Sequence, residues 1–276
     1  MTNNQQPLVI KLGGSEGIDV ERFLAAMARL TTPYVLVHGA NAELDALMRR
    51  LGKEPRLVTS SSGQVSRYTD QETMDLFLMT YCGRANKRIV EALRRHGANA
   101  VGLSGMDGGI IRGRRKPRIR IVENGKPKVL EGDWAGSIDA VDTTLIELLL
   151  ANGFVPVLTP PAVSHEGEAI NVDGDKLAME LAVAMRASKL LVFSNTAGLL
   201  RDVGDPESTV PEIDLNRLHD YLSMAKGRMK KKVLASADAI RRGVGEVILA
   251  DANSDGPIEA ALAGGGTVIR ATSVNV

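Results

Sequence analysis

Residues 8–52 read LVIKLGGSEGIDVERFLAAMARLTTPYVLVHGANAELDALMRRLG, and they alternate short apolar runs with amphipathic segments. The runs LVIKL and YVLVH have the length and composition of buried parallel strands. The segments VERFLAAMARL and AELDALMRRLG place apolar residues at helical spacing. The stretch therefore predicts the order β-α-β-α.

The same alternation continues to the end of the chain. It predicts a long helix near residues 70–96, a strand at 154–160, a helix after Asp175 and a strand at 189–194. Such an order is typical of a three-layer αβα sandwich on a mainly parallel open sheet, so the predicted fold class is α/β.

Residues 108–132 break this rhythm. There IIRGRRKPRIRIVENGKPKVLEG alternates apolar and basic residues around an Asn-Gly pair, which predicts an antiparallel hairpin.

A chain of 276 residues can form two lobes that share one sheet, or two separate domains. We place the lobe boundary near Arg186, after the helix that carries Asp175. The predicted lobes are residues 1–186 and residues 187–276.

Composition excludes several classes of function. The formal net charge of +1 argues against a general nucleic-acid binder. Cys82 is the single cysteine, so no intramolecular disulfide forms, and a reduced cytoplasmic setting fits. The sequence has no basic leader and no apolar run near the roughly 18 residues of a membrane span, so no membrane role is expected.

Two glycine-marked strand ends suggest an anion site. Lys11 is followed by Gly13 and Gly14, and bare glycines let backbone N–H groups approach a phosphate. The second strand ends at Gly39-Ala40-Asn41, where a helix begins. Each motif also fits an ordinary tight turn, but both strand ends would face one crevice of a parallel sheet.

Three later motifs carry further charges. Arg67, ahead of a long helix, could pair with a substrate carboxylate or lie on the surface. In the run Asn171-Val172-Asp173-Gly174-Asp175, Asp175 could cap a helix or hold two ammonium groups. Lys232 closes a lysine run of which most members are expected to be solvated, although one can point inward.

In this order the motifs resemble the amino acid kinase family, whose members phosphorylate carboxylates, carbamate or nucleotide phosphates on an αβα sandwich. Within it, the sequence is most similar to the aminoadipate kinases that use the amino-group carrier protein LysW in lysine biosynthesis, a branch close to N-acetylglutamate kinase. The segments that carry this likeness are QVSRYTDQETMDLFLMTYCGRANKRIV (64–90), GANAVGLSGMDG (97–108), GRRK (113–116), PVLTPPA (156–162), INVDGD (170–175) and AKGRMKKKV (225–233).

The resemblance implies transfer of the ATP γ-phosphate to the side-chain carboxylate of carrier-linked 2-aminoadipate, which gives an acyl phosphate. It assigns the neutralisation of the phosphoryl oxygens to Lys11 and Lys232, oriented by Asp175. Residues expected to bind the acceptor are Gly39, Ala40, Asn41, Arg67 and Asn171. One departure is Gly39-Ala40-Asn41, because the family usually has a run of glycines there.

ATP is expected over the second lobe, with Mg²⁺ held mainly by phosphate oxygens and no separate protein metal site. Residues expected to contact ATP are Gly13, Gly14, Ser194, Asn195, Gly198 and Met229. The family also implies a homodimer formed through the first lobe.

A basic ribbon suggests how the substrate is presented. It has no interleaved aromatic residue, so it fits an acidic carrier protein better than nucleic-acid bases, although a solvated charged surface is the alternative. Its members are Arg112, Arg114, Arg115, Lys116, Arg118 and Arg120.

Other functions stay open at this point. Within the fold, the alternatives are a carrier-linked glutamate kinase or an N-acetylglutamate kinase of arginine biosynthesis, since one methylene gives only about 1–3 kcal/mol of discrimination. From another class, the chain could be a non-catalytic nucleotide-sensing regulator.

Overall fold

The computed structural model describes residues 6–271 except 61, 62, 64 and 124. In chain order the elements are β1 (Leu8–Leu12), α1 (Val20–Met27), β2 (Tyr34–His38), α2 (Asn41–Arg50), β3 (Leu57–Thr59), β4 (Val65–Arg67), α3 (Gln71–Leu78), a π-helix (Met79–Ala85), α4 (Asn86–Arg95), β5 (Ala100–Ser104), β6 (Ile111–Arg115), β7 (Arg118–Glu123), β8 (Lys126–Glu131), β9 (Gly136–Val141), α5 (Thr144–Ala151), β10 (Val155–Thr159), β11 (Ala162–Ser164), β12 (Ala169–Ile170), α6 (Gly174–Ala184), β13 (Lys189–Ser194), β14 (Glu212–Asp214), α7 (Leu218–Leu222), α8 (Gly227–Arg241), β15 (Glu246–Asp251), α9 (Pro257–Leu262) and β16 (Thr267–Arg270).

One large sheet organises the chain. Its strand order is β14-β16-β15-β13-β1-β2-β10-β5, and every neighbouring pair is parallel except β15 with β16. This confirms the α/β class and the mainly parallel open sheet. Because β1 pairs with β13, the sheet is continuous across Arg186. The division into lobes 1–186 and 187–276 stays a prediction.

Alternating strand residues build a core on each side of this sheet. Val9 and Val35 pack with α6 and α8 on one side. Ile10 and Leu36 pack with α1, α4 and α9 on the other. The helix–sheet–helix layering follows from burial of both faces of a parallel sheet.

The segment at 108–132 contains the predicted antiparallel pair. β7 and β8 form a two-stranded hairpin, in which Glu123 pairs with Lys126 and Gly125 has a φ of 75°. Asn124 lies outside the described residues. β6 is not part of this hairpin, because it joins a second sheet with strand order β12-β11-β6-β9.

The predicted helix near residues 70–96 is present with an irregular middle. Asp70 caps α3 by accepting the backbone N–H of Thr73 at 2.8 Å. The π-helix then separates α3 from α4, and such bulges occur often at functional sites. Within the described residues, no helix combines the length and the apolar character needed to span a bilayer.

The two glycine-marked strand ends touch each other. A Cβ atom built on Gly14 would lie 2.4 Å from both the Ala40 nitrogen and the Gly39 carbonyl carbon. The contact places the ends of β1 and β2 side by side, and only glycine at position 14 allows it.

Replacement of Gly14 by alanine should therefore destabilise the protein by about 1–3 kcal/mol, because two backbones must separate. Gly83→Ala is the matched control, since a Cβ atom at this helical position would meet nothing within 4 Å, so a gain of up to about 1 kcal/mol is expected. Urea denaturation of both variants measures the difference. Equal free energies of unfolding for the two variants would contradict the close backbone contact.

Candidate active site

Lys11 is a buried cation in a central strand. It lies two residues after Val9, so its side chain points to the α6 side of the sheet, and the residue is only 8% exposed. Its Nζ atom is 2.5 Å from Oδ1 of Asp175 at the start of α6. A buried ammonium group destabilises the fold unless it is paired, so the Asp175 carboxylate stabilises the charge of Lys11.

Capping of α6 does not involve the Asp175 side chain. The cap is Asp173, whose carboxylate accepts the backbone N–H groups of Asp175 and Lys176 at 2.9 and 3.0 Å. The possibility that Asp175 caps this helix is therefore wrong, because the residue lies in the first turn. Its carboxylate is directed at Lys11 instead.

Lys232 and Asp175 lie on two helices that contact each other. Helices α6 and α8 pack against each other on the same side of the sheet. The strands that follow them are in register, with Lys189 opposite Glu246. Asp175 lies fourteen positions before Lys189, and Lys232 lies fourteen positions before Glu246. Lys232 is half-buried and precedes the buried Ser236 by one turn. The three predicted catalytic residues thus lie on β1, α6 and α8, of which α6 contacts the other two.

The glycine-rich turns offer fewer free amides than the sequence suggests. The N–H of Gly13 donates to the Phe193 carbonyl at 2.9 Å, and the N–H of Gly39 donates to Leu12 at 3.1 Å. The expectation that these two amides face a phosphate needs correction, because the sheet uses them. Within the described part of the chain, the amides of Gly14 and Asn41 have no acceptor.

Arg67 is nearly buried and already faces a carboxylate. Its Nη2 atom is 2.5 Å from Oδ1 of Asp45 on α2, its Nη1 atom contacts the Met48 sulfur at 3.6 Å, and its side chain is 9% exposed. The alternative of a solvated surface arginine is therefore wrong. Asp45 has no distinctive sequence signal and was missed.

Asn171 is tied to the segment before α3. Its Nδ2 atom donates to the Thr69 hydroxyl at 2.9 Å, and its backbone N–H donates to Trp134. Thr69 is fully buried, so Asn171 lies in a packed position, half-buried, at the entrance to α6.

The departure at Asn41 has a partner in the structure. The Tyr81 hydroxyl donates to Oδ1 of Asn41 at 2.8 Å. Tyr81 belongs to the π-helix and reads in the sequence as one more apolar helical residue, so no sequence signal could have identified it.

The residues expected near ATP occupy different surroundings. Ser194 is the last residue of β13, and Asn195 follows it and donates to the Glu16 carbonyl at 3.4 Å. Gly198 is buried, and a Cβ there would lie 2.4 Å from the Thr267 hydroxyl, so close packing alone explains this glycine. Met229 packs partly against the core.

The basic ribbon divides into two parts. Arg115 lies over the Trp134 ring at 3.7 Å and donates to the Asp133 carbonyl, with Glu168 at 3.4 Å. Its assignment to a protein-binding surface is therefore wrong, because strand alternation turns it to the packed side. The remaining members are exposed, namely Arg112, Arg114, Lys116, Arg118 and Arg120.

His38, the last residue of β2, is a buried and neutral imidazole. Burial lowers the pKa of His38 to about 4, a hydrogen bond with the Gly39 carbonyl opposes this shift, and the nearby charges of Lys11 and Lys87 add to it. The Asn86 amide donates to the ring at 3.1 Å. Neutral His38 thus adds no positive charge beside Lys11.

This arrangement can stabilise several negative oxygens at one edge of the sheet. The carboxyl ends of the neighbouring strands β1, β2 and β13 lie there, with the starts of α2 and α6 beside Gly14 and Lys11. Helix starts carry partial positive charge and favour anions. Among the described residues, no group of three or more His, Cys, Asp or Glu side chains could hold a metal ion.

Sequence comparison agrees with this geometry. Residues 6–251 match the amino acid kinase family, and the chain belongs to it. The LysW-aminoadipate kinase of Deinococcus radiodurans is 52% identical over 265 residues, which cover 95% of this chain and 91% of the relative. The LysW-aminoadipate kinase of Thermus thermophilus is 48% identical over 268 residues, covering 95% and 100%.

Solved structures confirm the fold. N-acetylglutamate synthase from Neisseria gonorrhoeae superposes with a TM-score of 0.78 at 22% identity, covering 97% of this chain. This chain spans 60% of that synthase's length. Carbamate kinase from Giardia superposes with a TM-score of 0.68 at 14% identity, covering 97% and 99% of the two chains.

His38 should make the protein sensitive to acid. The unfolded chain binds a proton near pH 6.5 and the folded chain only near 4, so stability is full above 6.5 and falls by up to about 1.4 kcal/mol per pH unit between these values. Urea denaturation from pH 7.5 to 4 measures this slope. His38→Gln should reduce by one the difference in bound protons between the unfolded and the folded chain, and so make the slope shallower. An unchanged slope in His38→Gln would contradict the buried neutral ring.

Proposed function

We propose that this protein transfers the γ-phosphate of ATP to the side-chain carboxylate of carrier-protein-linked 2-aminoadipate, in lysine biosynthesis. The observation that carries the proposal is the buried Lys11–Asp175 pair at the edge where glycine turns and helix starts meet. Identities of 48% and 52% over 95% of the chain to LysW-aminoadipate kinases support the choice of acceptor.

The reaction needs no activated base. A carboxylate oxygen, ionised at neutral pH, attacks the γ-phosphorus, an O–P bond forms, and the bond to the bridging oxygen breaks so that ADP leaves. The obstacle is repulsion between anions, which fixed positive groups relieve.

In this mechanism Lys11 and Lys232 neutralise the moving phosphoryl oxygens, and Asp175, which pairs with Lys11, orients both lysines. The amides of Gly14 and Asn41 are the backbone donors that remain available. Arg67 and Asn171 hold the acceptor, so their loss should mainly raise the KM for it.

Magnesium fits as a partner of the nucleotide. The described residues assemble no cluster of three acidic or histidine ligands, so phosphate oxygens would supply most of the coordination. The ion would spread the charge of the phosphates, and the lysines would act on the oxygens that it leaves uncovered.

The exposed basic residues Arg118 and Arg120 lie on one face of β7, where strand alternation also exposes Val122. A face that combines cations with an apolar strip fits an acidic carrier protein. The proposal also places the reaction in the cytoplasm, where ATP is available, and takes the enzyme to be a homodimer.

The decisive assay compares three acceptors with ATP: carrier-linked aminoadipate, carrier-linked glutamate and free N-acetylglutamate. The highest kcat/KM is expected for carrier-linked aminoadipate. A higher value for free N-acetylglutamate would overturn the proposal, and no ADP release with any of the three would favour a regulator.

Replacing either lysine should slow the chemical step. Lys11→Met and Lys232→Met are each expected to lower kcat by roughly 10²–10³, by analogy with the loss of other charge-stabilising donors. Lys231→Met is the matched control, because this lysine is exposed on the same helix, and it should keep normal turnover. Folding is checked by circular dichroism. Near-normal kcat in a folded Lys11→Met variant would exclude the role of this lysine.

Charge reversal on the basic face should weaken carrier binding. Arg120→Glu should raise the KM for carrier-linked acceptor several-fold at low salt and leave kcat unchanged, because it alters attraction to the carrier and removes no group assigned to phosphoryl transfer. The effect should shrink as salt increases. Arg241→Glu makes the same charge change on α8 and should have no effect. If both variants show the same KM, the carrier does not use this face.

A further inference from the structure

The π-helix delivers one hydroxyl to the edge of the active site. Tyr81 is 3% exposed, and its ring stacks on Phe77 with centroids 3.9 Å apart and planes 10° apart. The ring therefore has one position, and its hydroxyl reaches Oδ1 of Asn41 at 2.8 Å.

Tyr81 can act only as a donor towards Asn41. Burial raises the pKa of Tyr81 far above its ordinary value, a hydrogen bond from the Ala40 backbone partly opposes this, and the phenol keeps its proton at physiological pH. A donated proton fixes the carbonyl end of the Asn41 amide towards the protein. Within the described residues, the Nδ2 end has no acceptor, and Asn41 is exposed.

Asn41 lies between two groups already placed in the site. The turn before it touches Gly14, three residues after Lys11. Asp45, the partner of Arg67, lies four residues further along α2 and thus on the same face of the helix. About 6 Å of helix rise separates Asn41 from Asp45, which is the scale of a dicarboxylate side chain.

We propose that Tyr81 positions the Asn41 side-chain amide so that its Nδ2 group donates a hydrogen bond to the reacting carboxylate of the acceptor. A glycine at position 41 would offer only its backbone N–H. Tyr81 is then a positioning residue that acts through Asn41, and the pair sets how the acceptor carboxylate is aimed. This inference rests on the proposed function.

The experiment is a double-mutant cycle on kcat/KM for carrier-linked aminoadipate, with variants Tyr81→Phe, Asn41→Gly and the double variant. Each single variant should lose about tenfold, the scale of one hydrogen bond to a charged group. The double variant should lose no more than Asn41→Gly, because without the amide there is nothing to position. The KM for ATP should stay constant.

Tyr34→Phe controls for removal of a buried hydroxyl, since the Tyr34 hydroxyl is buried with no hydrogen-bond partner among the described residues, and it should keep wild-type kcat/KM. Multiplying losses in the double variant would show that Tyr81 acts through packing alone and would overturn the inference. Wild-type kcat/KM in Asn41→Gly, or a change confined to the KM for ATP, would also overturn it.

Failure of the proposed function is a separate result. Turnover of the wild-type protein with the carrier-linked acceptor tests that function alone. If the wild-type protein phosphorylates the carrier-linked acceptor and the cycle is additive, only the proposed role of Asn41 and Tyr81 is overturned. An inactive wild type overturns both.

Discussion

A lysine in the middle of a buried strand is the constraint on which the site depends. Lys11 is 8% exposed in an otherwise apolar strand, and its charge is tolerable only because Asp175 approaches to 2.5 Å. That requirement fixes where α6 must begin. A separate residue, Asp173, caps this helix, so the Asp175 carboxylate can pair with Lys11.

The parallel sheet converts this one contact into a binding edge. In a parallel arrangement the strand ends and the following helix starts share one side, so positive helix ends gather without any clustering in the sequence. The close contact of Gly14 with Gly39 and Ala40 brings two such ends together. The anion-binding site that we propose would follow from this topology, with Lys11 as its fixed charge.

Much of this could be predicted from local patterns. The periodicities of β1, α1, β2 and α2 predicted the layers correctly, since the buried face of an element must be apolar wherever it packs. The hairpin of β7 and β8 followed from its alternation. The assignment of Arg115 failed, because an arginine that stacks on Trp134 looks in sequence like any other basic residue. The prediction that the amides of Gly13 and Gly39 face a phosphate was wrong for a related reason, since hydrogen-bond partners in a sheet are distant in sequence.

The sequence by itself determined the fold class and the family resemblance, and it singled out Lys11, Asp175 and Lys232 as candidate catalytic residues, because these depend on residue type and local spacing. Only the tertiary structure decided which groups are paired and which are free. Arg67 with Asp45 and Tyr81 with Asn41 are contacts between segments 22 and 40 residues apart. Pairing between distant segments depends on how the elements pack, and no local sequence pattern encodes which distant residues meet.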